Sequence, residues 1–219
     1  MSKIMKSFAV ALLATAAACG KLNEESPARG IADMVKSRFA PTEAIAQAPA
    51  PALTRADVDA APGAYKLMSL VGINDTATLV PAGNNGTKVT WISADQVSVT
   101  LQNGLLVSTR GFVQDLMAAD VSGVIQALVS SGGNATRRVD YLDGLDQIST
   151  EVLQCSIASG GFETLEILGK AIATEKFNEV CTSESLRFTN VYWISDAGGI
   201  VKSQQLVSKG VGFLQIVSP

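Results

Sequence analysis

The sequence predicts a mainly β domain of antiparallel sheets, sandwich or half-barrel-like, with one or two short helices. Two observations predict it. From Gln96 to Arg110 apolar and polar residues alternate on both sides of an Asn103-Gly104 pair, the pattern of a hairpin with one buried face and a two-residue turn of positive φ. Further β-rich runs recur along the chain, while a single segment, Leu116 to Val129, spaces its apolar residues close to a helical period. That many strands exclude a helical bundle and fit an antiparallel sheet crossed by one helix.

At the N-terminus, Lys3 and Lys6 precede an apolar stretch from Phe8 to Leu13 and small residues Ala14 to Ala18 that abut Cys19. A basic start, a short apolar centre and small residues before a cleavage point mark residues 1–18 as a secretory signal peptide. The stretch is too short to span a bilayer as a permanent helix. Residues 16–18 before the cysteine resemble a bacterial lipobox, with Ala16 where most carry Leu. The resemblance implies a covalent lipid on Cys19, with acyl chains such as palmitate, and attachment to a membrane. Each buried methylene contributes about 0.8 kcal/mol, so several chains anchor lastingly. Gly20, standing where Asp would retain such a lipoprotein, implies the periplasmic face of the outer membrane.

Residues 19–52 have the composition of a tether. Five of the seven prolines fall between Asn23 and Gly63, and the run Ala44 to Ala52 (AIAQAPAPA) offers almost nothing bulky to bury. Such a segment favours extended backbone and holds a domain away from its anchor. Met34, Val35 and Phe39 suit a short helix ahead of it. Thr54-Arg55-Ala56-Asp57 is an Asp variant of the capping box before Val58 and Ala61, with Pro62 ending the turn. The folded domain is therefore expected at 53–219.

Within it, strands are expected at Tyr65 to Ile73 and Thr87 to Ile92, then in the hairpin of Gln96 to Arg110. Leu116, Val121, Val124, Ile125, Leu128 and Val129 form the helical segment, which ends at Gly132-Gly133. Strands resume at Ile148 to Ile157, Glu163 to Leu168 and Ala171 to Cys181. A second hairpin joins Leu186 to Ile194 with Ile200 to Val207 through Ser195-Asp196-Ala197-Gly198-Gly199, and Val211 to Val217 is the last strand. The sequon-like sites at Asn74, Asn85 and Asn134 are better taken as turns.

Charge and composition exclude several functions. Loss of residues 1–18 removes Lys3 and Lys6, leaving 15 basic against 20 acidic residues and moving the formal charge from -3 to -5. That balance disfavours a nucleic-acid or anionic-lipid surface as partner. The sequence has no His, so it lacks the commonest metal ligand and the usual base at neutral pH. With Cys19 acylated, Cys155 and Cys181 remain as an even pair in an oxidising compartment, which points to a disulfide. Two cysteines without His make a poor zinc site, and no metal or other cofactor is expected.

Taken in order, the landmarks resemble the YjbF/GfcB family of lipoproteins from exopolysaccharide and group 4 capsule operons. They are Leu53-Thr54-Arg55-Ala56-Asp57-Val58-Asp59-Ala60-Ala61-Pro62, the stretch from Leu101 to Gly111 with Asp115-Leu116, Cys155, Glu179-Val180-Cys181, Phe188 to Trp193, and Gly199 to Gln205. Gln204 stands where relatives carry a second Arg, and Gly63 where they carry a bulky residue. The resemblance implies a mostly β, outer-membrane-attached periplasmic domain that works with an outer-membrane β-barrel partner. It brings no catalytic residues. The function expected is a non-catalytic accessory role in assembly or export of extracellular polysaccharide, against a glycan-modifying enzyme or an assembly factor for a barrel.

Candidate contacts are few. Trp91, Tyr192 and Trp193 are the large aromatics on which a sugar would stack, but the favoured expectation is Trp193 packed in the core with Tyr192 at a second interface. Arg110 and the pair Arg137-Arg138 are candidates for acidic polysaccharide or a protein partner, but exposed arginines more often form weak surface pairs. Among the carboxylates Asp140, Asp143, Asp146, Glu163 and Glu166, the nearest two face opposite ways on a strand and so make a poor acid–base pair.

Overall fold

The computed structural model describes residues 52–73 and 75–219. Cys19, the leader, the tether with its Met34 to Phe39 segment, and Asn74 lie outside the described residues.

The described residues form one antiparallel sheet of 12 strands and two short helices. Helix α1 (Arg55–Ala60) precedes β1 (Lys66–Leu70), β2 (Ala77–Asn85), β3 (Lys88–Ser93), β4 (Ser98–Gln102), β5 (Leu105–Arg110) and β6 (Ala118–Asp120). Helix α2 (Ser122–Val129) leads into β7 (Gly133–Leu142), β8 (Ile148–Ile167), β9 (Lys170–Thr182), β10 (Arg187–Ser195), β11 (Ile200–Ser208) and β12 (Gly212–Val217). The spatial order is β5-β4-β3-β2-β1-β12-β11-β10-β9-β8-β7-β6. Every neighbour is thus a sequence neighbour except the β1–β12 pair that joins the two halves. The sheet curls into a nearly closed barrel, and the half-barrel expectation holds.

Local chemistry explains the elements. Thr54 and Asp57 cap α1 reciprocally, as the motif requires. Asn103 and Gly104 both have positive φ, so the two-residue turn between β4 and β5 forms where it was expected. A Cβ at Gly104 would come within 3.0 Å of the Ile200 side chain, so glycine there also permits close approach of the β11 end.

The sequence reading missed β2, β6 and β7. Pro81 hides β2, but it sits at a register shift between Pro81 and Gly83 where a ladder donor is dispensable. The runs at 148–157 and 163–168 are one strand, β8, with a bulge between Ser159 and Phe162 at the Gly160-Gly161 pair. The helix is shorter than its apolar spacing implied: Leu116 lies in the turn after β5, Ala118–Asp120 pairs with β7, and helical backbone begins at Ser122. Asn85 ends β2 at a turn, whereas Asn134 belongs to β7 and is no turn residue.

The seam between the edge strands is closed by the segment that links them. Thr109 N–H of β5 donates to Leu116 O at 2.8 Å, and Met117 N–H donates to Asp140 O of β7 at 2.9 Å. Asp115 shapes this turn by accepting from Thr109 Oγ1 (2.7 Å), Gly111 N (3.0 Å) and Phe112 N (3.2 Å). A continuous apolar core fills the barrel, from Met68, Leu79 and Val99 to Leu153, Val207 and Leu214, and the buried face of α2 (Val124, Ala127, Leu128) joins it.

Candidate functional site

The barrel interior holds a sealed polar cluster. Arg137 of β7 donates from Nε to Glu179 Oε1 at 2.9 Å and from Nη2 to Oε2 at 3.1 Å. Tyr192 Oη donates to Glu179 Oε2 at 2.6 Å, and Asn190 Nδ2 donates to the same oxygen at 2.8 Å. All four side chains are almost wholly excluded from solvent. Burial, and then the Glu179 charge, push the Tyr192 phenol well above its ordinary range, so it stays a donor. Burial works against the Arg137 charge, but Tyr192 and Glu179 outweigh it and raise its pKa. Asn190 Oδ1 accepts from Leu206 N–H at 2.8 Å, tying the cluster to β11.

Beside this cluster Cys155 and Cys181, directly opposed on β8 and β9, form a disulfide. Their ligand atoms and those of Glu179 lie within 4.8 Å of one another. Sulfurs bonded to each other are not thiolates, so the oxidised pair supplies no charge to a metal.

Several expected contacts change character. Tyr192 is fully buried and Trp91 is 7% exposed, so neither ring is offered to a sugar. Tyr192 shares the inward face of β10 with Phe188 and Asn190, and Trp91 shares that of β3 with Val89. Trp193 consequently points outward and is not in the core. It is covered by Glu163, which accepts its indole N–H, and by Lys202 and Lys176, whose amines lie 4.8 and 5.8 Å from the ring. Arg137 is not a surface group, although its neighbour Arg138 is exposed and bridges to Asp140 at 3.0 Å.

Arg110 is exposed, with its guanidinium turned onto the backbone carbonyls of Thr109, Leu116 and Met117 along the seam. The carboxylates do not converge. Asp140 takes Arg138 and Thr150, Asp143 accepts the N–H groups of Leu145 and Gln147 in its own turn, and Glu163 takes Trp193.

Topology separates the two ends. Because the strands run up and down in sequence order, the turns after β1, β3, β5, β7, β9 and β11 all gather at one end. That end exposes apolar tips, Val71, Ile73, Val113 and Leu145, with Val113 94% exposed. Exposed Asp75, Asp95, Asp146 and Glu184 stand among them against Lys209. The opposite end has a cleft of about 610 Å³ between α2 and the β4–β5 and β10–β11 turns. Lys66 is the one charged residue of its lining. Burial lowers the Lys66 pKa to about 8, and its Nζ donates to Ser218 Oγ at 2.6 Å while lying 4.7 Å above the Trp91 ring.

Sequence reasoning missed the Arg137–Glu179 pair, yet a signal existed. Ala135, Arg137 and Val139 alternate on one face of β7, and Phe177, Glu179 and Cys181 on one face of β9. Each charge therefore occupies a slot that the pattern assigns to an apolar residue.

Residues 40–218 match the family described as group 4 capsule polysaccharide lipoprotein gfcB, YjbF. No curated protein matches. Among solved structures, the hypothetical lipoprotein YmcC from Escherichia coli (K12) superposes with a TM-score of 0.65 at 21% identity, covering 74% of this chain and 86% of that one. This likeness carries the fold alone.

Proposed function

The chain belongs to the YjbF family of group 4 capsule polysaccharide lipoproteins, and from that premise we propose that it is a non-catalytic accessory factor in assembly or export of the polymer. It is held by lipid on Cys19 at the periplasmic face of the outer membrane, with residues 19–52 as the tether to a domain of 53–219. It acts by contact with an outer-membrane β-barrel partner, and the polysaccharide is a further ligand. The observation that supports contact over turnover is the use of the acid–base groups. Glu179, Arg137 and Tyr192 satisfy one another out of reach of solvent, and Asp140, Asp143 and Glu163 are engaged in turns and surface pairs. The acidic, apolar-tipped turn end is the surface for the partner.

The test is an alanine scan of the exposed Asp and Glu residues beside Val113→Arg in cells, with polymer output and domain stability measured together. Carboxylate variants that fold should retain output. Val113→Arg should reduce it without altering the melting temperature, because Val113 supports no packing. A stable carboxylate variant with output as low as a gene deletion would replace this reading with a glycan-modifying enzyme.

A further inference from the structure

The cleft at the helix end of the barrel combines an apolar lining with a single cation. Its walls are apolar: Ile125, Leu128 and Val129 of α2 face Ile194 and Ile200 at the ends of β10 and β11. Its volume, about 610 Å³, is that of sites that enclose small molecules. Into this apolar lining comes a single ammonium, that of Lys66. It forms no ion pair with any described carboxylate.

Buried cations are ordinarily paired, because taking an ammonium out of water is costly. Lys66 has three donors. Ser218 accepts one of them, and the Trp91 face supplies weaker electrostatic support. The lowered pKa records the same desolvation. An anion seated at Lys66 would complete the pairing that the protein leaves open. Val129 at the cleft mouth is 83% exposed, so an apolar segment lying against it would remove that surface from water.

We propose that this cleft binds an anionic amphiphile, with its carboxylate or phosphate head at Lys66 and its apolar chain between α2 and the β10–β11 turn. The ligand is lipid-like and not a bare glycan, because the lining has no exposed aromatic face and few polar side chains for sugar hydroxyls. The assignment is independent of the contact role at the other end of the barrel.

Isothermal titration calorimetry of the full mature chain in phosphatidylcholine nanodiscs tests it. The probes are octanoate, octyl phosphate, octyltrimethylammonium, octyl glucoside and an oligogalacturonate, each referenced to empty nanodiscs. Octanoate and octyl phosphate separate a carboxylate source from a phosphate source, and binding of either at least about tenfold tighter than octyltrimethylammonium supports the proposal. Lys66→Met should weaken the anions about tenfold while sparing octyl glucoside. Val129→Glu, at an exposed position that cannot threaten folding, should weaken the same anions through repulsion. The proposal is overturned if the cationic amphiphile binds as well as the anions, if neither substitution alters anion binding, or if only the oligogalacturonate binds.

Discussion

At the residue scale, the buried Arg137 and the half-buried Lys66 shift oppositely because one cation is paired with a carboxylate and the other is not. Glu179 neutralises Arg137 inside the barrel, so removing the carboxylate strands a buried cation. Glu179→Ala is expected to cost about 3 to 5 kcal/mol in urea unfolding, whereas the double replacement Arg137→Met with Glu179→Leu should cost clearly less, since no charge is then left unpaired. Lys66 has no carboxylate, and its folded pKa of about 8 lies below its ordinary 10.5. Between those values the unfolded chain binds more protons than the native one, so this group makes stability rise with pH across that window. Lys66→Met lacks the proton and should be flatter there. Comparing melting temperatures of both proteins from pH 7 to 10 checks the sign, and parallel curves would contradict it. Above pH 10 both proteins should lose stability, because burial holds the Tyr141 phenol at about 12 and pushes the Tyr192 phenol well above its ordinary range while unfolded tyrosines ionise.

At the element scale, the long β8–β9 hairpin organises one side of the barrel, and it is stapled where its strands oppose Cys155 to Cys181. The bridge closes a loop with a sequence separation of 26, and restricting the unfolded chain by such a loop contributes about 3 to 4 kcal/mol. Cys155→Ala with Cys181→Ala should lower the urea midpoint accordingly without changing the strand content seen by circular dichroism. The same hairpin explains α1. Arg55 donates from Nε and Nη2 to Leu168 O and Ile167 O at the hairpin tip. The capping box thus sets a short helix whose basic residue clasps a segment more than a hundred residues away. The stretch from Thr109 to Leu116 is likewise structural, since its Asp115 and the Arg110 guanidinium bind backbone groups along the seam.

At the scale of the whole molecule, sequential up-and-down topology divides labour between two ends: apolar-tipped acidic turns at one, and an apolar cleft with a lone ammonium at the other. If location and contact carry the role, Cys19→Ser should abolish incorporation of labelled palmitate and reduce polymer output, while leaving the melting temperature of the domain unchanged. Equal labelling of variant and wild type would refute attachment at Cys19.

What the sequence by itself determined were features whose physics is local. Alternation between Gln96 and Arg110 dictated a hairpin because its side-chain period and positive-φ turn are settled within a few residues, and Thr54 with Asp57 dictated a capped helix for the same reason. The even pair Cys155 and Cys181 pointed to their bridge through chemistry alone. Only the tertiary structure decided which face each strand turns inward, because register depends on partners far along the chain. Tyr192 rather than Trp193 entered the core for that reason, and Trp193 was buried only because Glu163 and two lysines cover the outer face. The Arg137–Glu179 pair needed β7 and β9, both neighbours of β8, to bring two misplaced charges together across it. The cleft needed α2 and two distant turns to meet, and a desolvated lysine is visible only once its surroundings exist.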